Sequence, residues 1–230
     1  MTRILLVEDD ELLRENFSEL LRDEGFEVEA CADSATTLKR FDQPLPDLVI
    51  LDITLGKETD AGFRLCSELR KRSETIPIIF FTSHSSDFDK ISGMRFGVDD
   101  YLTKDVSLDY LVVRIKTLLR RIETLSGAKA EPENELRRGD LTINMHSLTA
   151  RWKGTPLKLS LTQLWMLHAL ASHPGHVKSY EQLMNAAKIT VEPNTIAAHI
   201  KNIRKIFQDV DSGFSAIRTE RNMGYRWLSD

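Results

Sequence analysis

The sequence predicts two domains: a doubly wound α/β domain built on a five-stranded parallel sheet, then a smaller α+β domain. Three observations carry this. Short apolar runs alternate with helix-period patterns through the first half, the mark of βαβ units. After the middle of the chain the pattern changes to apolar/polar alternation around turn signals, then helices, then alternation again. Charge divides at the same place: residues 1–125 hold 17 Lys plus Arg against 25 Asp plus Glu, and residues 126–230 hold 14 against 10. An acidic half joined to a basic half suggests that the second half meets a polyanion.

In order, "RILLV" (Arg3 to Val7) reads as a strand, and "ELLRENFSELLRDEG" as a helix with Leu12, Leu13, Phe17, Leu20 and Leu21 apolar and Gly25 as its stop. "FEVEAC", "DLVIL" and "IPIIFFT" are further strands, each followed by a helical pattern: near 35–41, near 62–72 and near 86–96. "DDYLT" is a short fifth strand and "SLDYLVVRIKTLLRRIETL" the last helix. Ligands of such sheets sit at the strands' carboxyl ends, where strand order reverses. The polar stretch 122–135, with Gly127 and Pro132, reads as a linker. From Leu141 to Ser160, "LTINMHSLTARWKGTPLKLS" reads as antiparallel strands. Ser160 and Gln163 form a capping box opening one helix, "SYEQLMNAA" is a second, and a third follows Pro193 with Ile196, Ile200, Ile203 and Phe207 on one face. "SAIRTERNMGYRWL" closes as two strands around a turn, completing the outline of a winged helix-turn-helix.

No apolar run approaches the roughly 20 residues a membrane helix needs, and "ILLV" is too short for a signal-peptide core, so a cytoplasmic protein is expected. Cys31, Cys66 and the six His show no ligand spacing. They imply no structural metal.

The chemistry lies at the strand ends. Glu8 and Asp9 follow the first strand and Asp52 the third. With those strands adjacent, three carboxylates converge, and a hard cation such as Mg2+ relieves their repulsion. Thr82 ends the fourth strand and Lys104 follows the fifth, adding a hydroxyl and an ammonium. A cation, a Lys and a Thr around one carboxylate suit phosphoryl transfer, which is catalysed by positioning and charge neutralisation.

Residues 1–121 resemble the receiver domain of two-component response regulators in "ILLVEDDELLRE", "PDLVILDITL", "IPIIFFTS" and "GVDDYLTK". The resemblance implies a flavodoxin-like fold in which Asp52 takes a phosphoryl group from a sensor histidine kinase. Glu8, Asp9, Asp52 and the Thr54 carbonyl would hold Mg2+, Lys104 would pair with the phosphoryl group, and Thr82 with Tyr101 would form the switch. On phosphorylation the Thr82 hydroxyl is drawn in and the Tyr101 ring follows. The resemblance also implies homodimerisation through the helix near 86–96, the fifth strand and the last helix, with Lys90, Asp99, Asp100, Arg114 and Arg121 at the family's ion-pair positions. Tyr110 replaces one usual Glu, predicting a weaker dimer. Two departures lie at the site. Gly56 stands where the family has Pro, in a loop two residues longer and so expected to be looser. Asp105 replaces a cis-Pro, so the Lys104–Asp105 bond is expected to be trans. Both predict slower phosphorylation.

The second domain, 136–230, resembles the DNA-binding domain of the OmpR/PhoB subfamily over about residues 136–228: "TIAAHIKNIRKIF" matches its recognition helix and "IRTERNMGYRW" its wing. Lys201, Arg204 and Lys205 would form a basic stripe for double-stranded DNA, Asn194 and Asn202 are candidates for base reading, and Arg221 at the wing tip is placed for a minor groove. The loop "KITVEP" lacks the aromatic usual where this subfamily meets RNA polymerase. Two other readings stand beside a phosphorylation-controlled transcription factor. One is a phosphatase turning over an aspartyl phosphate, against which Thr54 stands where a second Asp is needed. The other is a phosphorylation-independent DNA-binding protein that uses the first domain only to dimerise.

Overall fold

The computed structural model describes residues 1–83, 96–126, 135–187 and 193–228. The chain divides into two units, Met1–Arg120 and Arg121–Asp230. In the first, β1 (Arg3–Val7), β2 (Glu27–Cys31), β3 (Leu48–Leu51), β4 (Ile78–Thr82) and β5 (Asp100–Thr103) form one parallel sheet in the order β2-β1-β3-β4-β5. Strand order reverses at β1, and the register pairs Val7 with both Cys31 and Leu51. Residues 8 and 52 therefore leave the sheet side by side. All residues of β3 and β4 are buried, which explains why these strands read as unbroken apolar runs: helices cover both faces of such a sheet.

Helix α1 (Glu11–Asp23) begins where the Asp10 carboxylate accepts the Leu13 N–H at 2.9 Å, and α2 (Ser34–Arg40) where Asp33 accepts from Thr36 at 2.8 Å. Each cap stabilises its helix by about 1 kcal/mol. Phe17 and Leu21 of α1 join Leu111, Ile115 and Leu118 of α4 (Leu108–Ser126) against Ile4, Leu6, Ile50, Ile79 and Phe81. On the opposite face Phe80 meets Phe63 of α3 (Ala61–Arg72) edge-on at 5.3 Å. The helix expected near 86–96 lies almost wholly outside the described residues. Helix α4 continues to Ser126, so the first five residues of the expected linker are helical. The physical reason is that "RRIETLS" contains no breaker before Gly127.

The second unit opens with an antiparallel sheet, β6 (Glu135–Arg138), β7 (Leu141–Asn144), β8 (Thr149–Trp152) and β9 (Thr155–Pro156), in sequential order. Strand β6 goes beyond the sequence reading; it has one apolar residue, Leu136, and its remaining signal is the "GD" turn before β7. Helix α5 (Leu161–Ala171) starts where the Ser160 amide donates to Gln163 Oε1 at 3.1 Å. After β10 (Val177–Lys178), α6 (Tyr180–Ala186) carries a full capping box between Ser179 and Gln182. Helix α7 (Pro193–Val210) turns Ile196, Ile200, Ile203 and Phe207 into the core, where Trp152 packs edge-on against Phe207, Phe214 and Trp227. Strands β11 (Ile217–Glu220) and β12 (Gly224–Trp227) form the closing hairpin, with β12 central in a sheet ordered β10-β12-β11.

Candidate functional site

The Asp52 amide donates to Val7 O at 2.9 Å, and the Glu8 amide to Cys31 O at 3.1 Å. These bonds carry the ladder one residue past the strand ends and fix both side chains at the carboxyl edge of the sheet. Glu8, Asp9 and Asp52 each offer a carboxylate oxygen, all within 4.8 Å of one another. Glu8 and Asp52 are buried and Asp9 is exposed. Like charges this close need a counter-charge, and Lys104 supplies one: its Nζ lies 2.6 Å from Glu8 Oε2 and 2.6 Å from Asp52 Oδ2. The Lys104 amide in turn donates to Thr82 O at 2.9 Å, so β4 sets the lysine's position. Burial pushes the Glu8 carboxyl above its usual range, opposed by Lys104 and helped by Asp52. Burial works against the Lys104 ammonium, but its bonds to Asp52 and Glu8 outweigh that and raise its pKa. The donor set fits Mg2+: hard carboxylate oxygens, one of them open to the water that this ion retains.

Several supports go beyond the sequence reading. Arg14 Nη1 donates to both Glu8 O at 2.9 Å and Asp9 O at 3.0 Å, fixing the backbone between the two acids. The loop after Asp52 is tied by hydrogen bonds at several points. Leu55 and Glu58 exchange two backbone hydrogen bonds of 3.0 Å around Gly56 and Lys57, and Gly56 takes φ +60 while Lys57 keeps a negative φ. That is the type II′ pattern, which wants Gly at its first central position. Gly56 N–H then reaches Asp9 Oδ2 at 2.9 Å, and Glu58 accepts from Ser34 at 3.2 Å and pairs with Arg64. Gly62, near the start of α3, lies so close to β3 that a Cβ there would sit 2.4 Å from Asp52 O and 2.7 Å from Ile53 Cα.

Thr82 is fully buried, and Tyr101 is 8% exposed with its ring 6.2 Å from Phe80, edge to face. Tyr101 was expected to turn in on phosphorylation; here it is already inside, held by this aromatic contact. No described peptide bond is cis, so Lys104–Asp105 is trans as expected.

The residues expected at a dimer face are engaged within the chain. Asp99 is buried, pairs with Arg70 at 2.9 Å and accepts the Ile78 N–H at 3.1 Å. Arg114, also buried, pairs with Asp100 at 2.6 Å. The reason is topological: both acids sit at the amino end of β5, where α3 and α4 each bring an Arg. Lys90 and the Arg121 side chain lie outside the described residues.

In the second unit, Lys201 and Lys205 are exposed one turn apart on α7, and Asn202 beside them is half-buried. Arg221 is exposed at the hairpin tip, where the Met223 amide donates to Glu220 O at 3.0 Å and Asn222 adopts φ +60. Asn tolerates that left-handed position better than most residues. Arg204 corrects the expected basic stripe: it turns sideways, donating to Ile217 O and Thr219 Oγ1. The Asn194 side chain and the loop 188–192 lie outside the described residues. His199, on the inner face of α7, is fully buried with no hydrogen bond to either ring nitrogen, and burial lowers its pKa to about 4.

Residues 4–116 match the response regulator receiver domain family, and residues 154–227 the C-terminal domain of transcriptional regulatory proteins. The chain is 32% identical to the transcriptional regulatory protein CreB of Escherichia coli K12 over 96% of each chain. It is 35% identical to BaeR of Escherichia coli O6:H1, covering 99% of this chain and 93% of that protein. Among solved structures, the response regulator DrrB of Thermotoga maritima, an OmpR/PhoB homologue, is 27% identical with a TM-score of 0.51, all of both chains being covered. A RitR variant, at 21% identity and TM-score 0.77 over the whole of both chains, shares the fold. No helix among the described residues is long and apolar enough to cross a membrane. With a receiver domain and a DNA-binding domain in one chain, and relatives matched along nearly its whole length, this protein belongs to the two-component response regulators of the OmpR/PhoB subfamily.

Proposed function

We propose that Asp52 is the phosphoacceptor through which a sensor histidine kinase controls DNA binding by the second domain. The observation that carries this is the Lys104 ammonium held 2.6 Å from Asp52, beside Glu8 and Asp9. A carboxylate oxygen of Asp52 attacks the phosphorus of a phosphohistidine; the P–N bond breaks and an acyl phosphate forms. Glu8, Asp9, Asp52 and the Thr54 carbonyl would hold Mg2+. When bound, Mg2+ supplies neutralisation of the phosphoryl oxygens. Lys104 stays in place and pairs with the new dianion, its position fixed through Thr82 O. The Thr82 hydroxyl turns toward the phosphoryl group, and Tyr101, already inside, is held there. The modification thus selects a conformation the unmodified chain can reach, a shift of population.

The output is pairing of two copies through the face of β5, α4 and the segment expected to be helical near 86–96, followed by DNA binding through α7 and the wing. Val113 of α4, 56% exposed, offers an apolar contact on this face. Pairing through Asp99, Asp100 or Arg114 requires exchange of the internal partners described above. Lys201, Lys205 and Arg221 meet phosphates and a groove, and Asn202 and Asn194 read base edges. Sedimentation of wild-type and Asp52→Asn protein with Mg2+ and a small phosphodonor tests the coupling. Wild type alone is expected to shift toward dimer and to bind duplex DNA more tightly. Equal behaviour of the two proteins favours the reading in which the first domain acts without phosphorylation.

A further inference from the structure

We infer that Arg204 is a positioning residue that locks the β11–β12 wing onto the recognition helix α7, rather than a contact to DNA. The inference rests on the proposed DNA-binding role of this domain. The guanidinium makes three internal hydrogen bonds: Nε and Nη2 donate to Ile217 O at 3.2 and 2.9 Å, and Nη2 to Thr219 Oγ1 at 2.9 Å. Its Cζ also stands 5.6 Å from the centre of the Tyr225 ring. Ile217 and Thr219 belong to β11 and Tyr225 to β12, so one side chain of α7 touches both strands of the wing. Strand β11 is the edge of its sheet, and acceptors on its outer side find no strand partner. Arg204 fills that role at Ile217.

The planar fork of Arg is suited to this: it donates in two directions while its face lies on an aromatic ring, which a Lys ammonium does not reproduce. The helix keeps its outward charge without it, since Lys201 and Lys205 remain exposed. A wing fixed to the recognition helix sets the spacing between the major-groove residues and Arg221 at the tip, so Arg204 acts on recognition through geometry.

A phosphate contact and a brace differ in two readouts. Removing a phosphate contact lowers the salt dependence of DNA binding by about 0.9 in log–log slope, whereas removing a brace leaves the slope alone. Loosening the wing raises hydrogen exchange in 217–227 with no DNA present. The experiment uses full-length wild type, Arg204→Ala and Thr219→Val, with mixed-sequence duplex DNA as the probe. Thr219→Val keeps every charge and removes one of the arginine's acceptors, so it decides the matter even should Arg204→Ala fold poorly. Both variants are expected to exchange faster across 217–227, and Arg204→Ala to lose roughly tenfold in affinity with the slope unchanged. Unchanged exchange in both, with a slope reduced by about 0.9 in Arg204→Ala, overturns the proposal in favour of a phosphate contact. Failure of wild type to bind any duplex would overturn the DNA reading instead, while the exchange measurement on the free proteins still decides whether Arg204 holds the wing.

Discussion

Replacing Gly62 with Ala tests whether the packing of α3 onto β3 positions the phosphoacceptor. In an unconstrained helix this change stabilises by about 0.5–1 kcal/mol, since Ala loses less backbone entropy. Here the new methyl would lie 2.4 Å from Asp52 O and 2.7 Å from Ile53 Cα. Both are backbone atoms of the strand end, so no side chain can swing aside. Reaching ordinary contact needs a movement of about 1 Å of α3 or of the Asp52 backbone, and overpacking of this kind costs about 1–3 kcal/mol. The expected net effect is a loss of about 1–2 kcal/mol in urea unfolding of the receiver, together with slower uptake of phosphate from a small phosphodonor. Gly25→Ala is the control, because Gly25 has φ +86 but open space around it: it should lose some stability and keep its phosphorylation rate. A Gly62→Ala protein as stable and as reactive as wild type would show that the close approach does not hold Asp52 in place.

Lys104→Met should destabilise the Mg2+-free receiver by about 2 kcal/mol, less than for a fully buried pair because the site opens to water at Asp9; thermal melts with and without Mg2+ check this, and Mg2+ should narrow the gap. Arg70→Met takes the guanidinium away from buried Asp99 and should cost about 3 kcal/mol in receiver stability by urea unfolding. His199 gives a pH dependence in the second domain. Its pKa falls from 6.5 unfolded to about 4 folded, so the unfolded chain binds the proton first as pH drops. The stabilisation from a neutral His199 is complete above about pH 6.5 and disappears between there and about pH 4, about 3 kcal/mol in all. His199→Leu should flatten that part of the stability–pH curve of the winged-helix transition, and an unchanged curve would show that another group titrates.

The sheet and its carboxyl edge were legible because parallel strands buried on both faces must be apolar throughout, so Asp52 stood out as the first charge after "LVIL". The start of α5 was legible because Ser160 and Gln163 announced a capping box; the caps at Asp10, Asp33 and Ser179 came only with the structure. The supports of the site were not, since Arg14, Gly56 and Gly62 act through backbone atoms distant in sequence or folded back in a turn. Periodicity places a residue on a helix face but not its neighbour. That is why Arg204 read as part of a DNA-facing stripe although it turns to the wing; Asp99, Asp100 and Arg114 were placed on a surface by the family resemblance alone, whereas α3 and α4 close over them. Strand β6, with the single apolar residue Leu136, carried too little alternation to show.

The central proposal is that Asp52 alone carries the phosphoryl group. Intact-mass measurement of wild-type and Asp52→Asn protein after treatment with a small phosphodonor and Mg2+ tests it. One added phosphoryl group on wild type and none on the variant is the predicted outcome. Equal addition to both, or none to either with the donor or a histidine kinase, would contradict it.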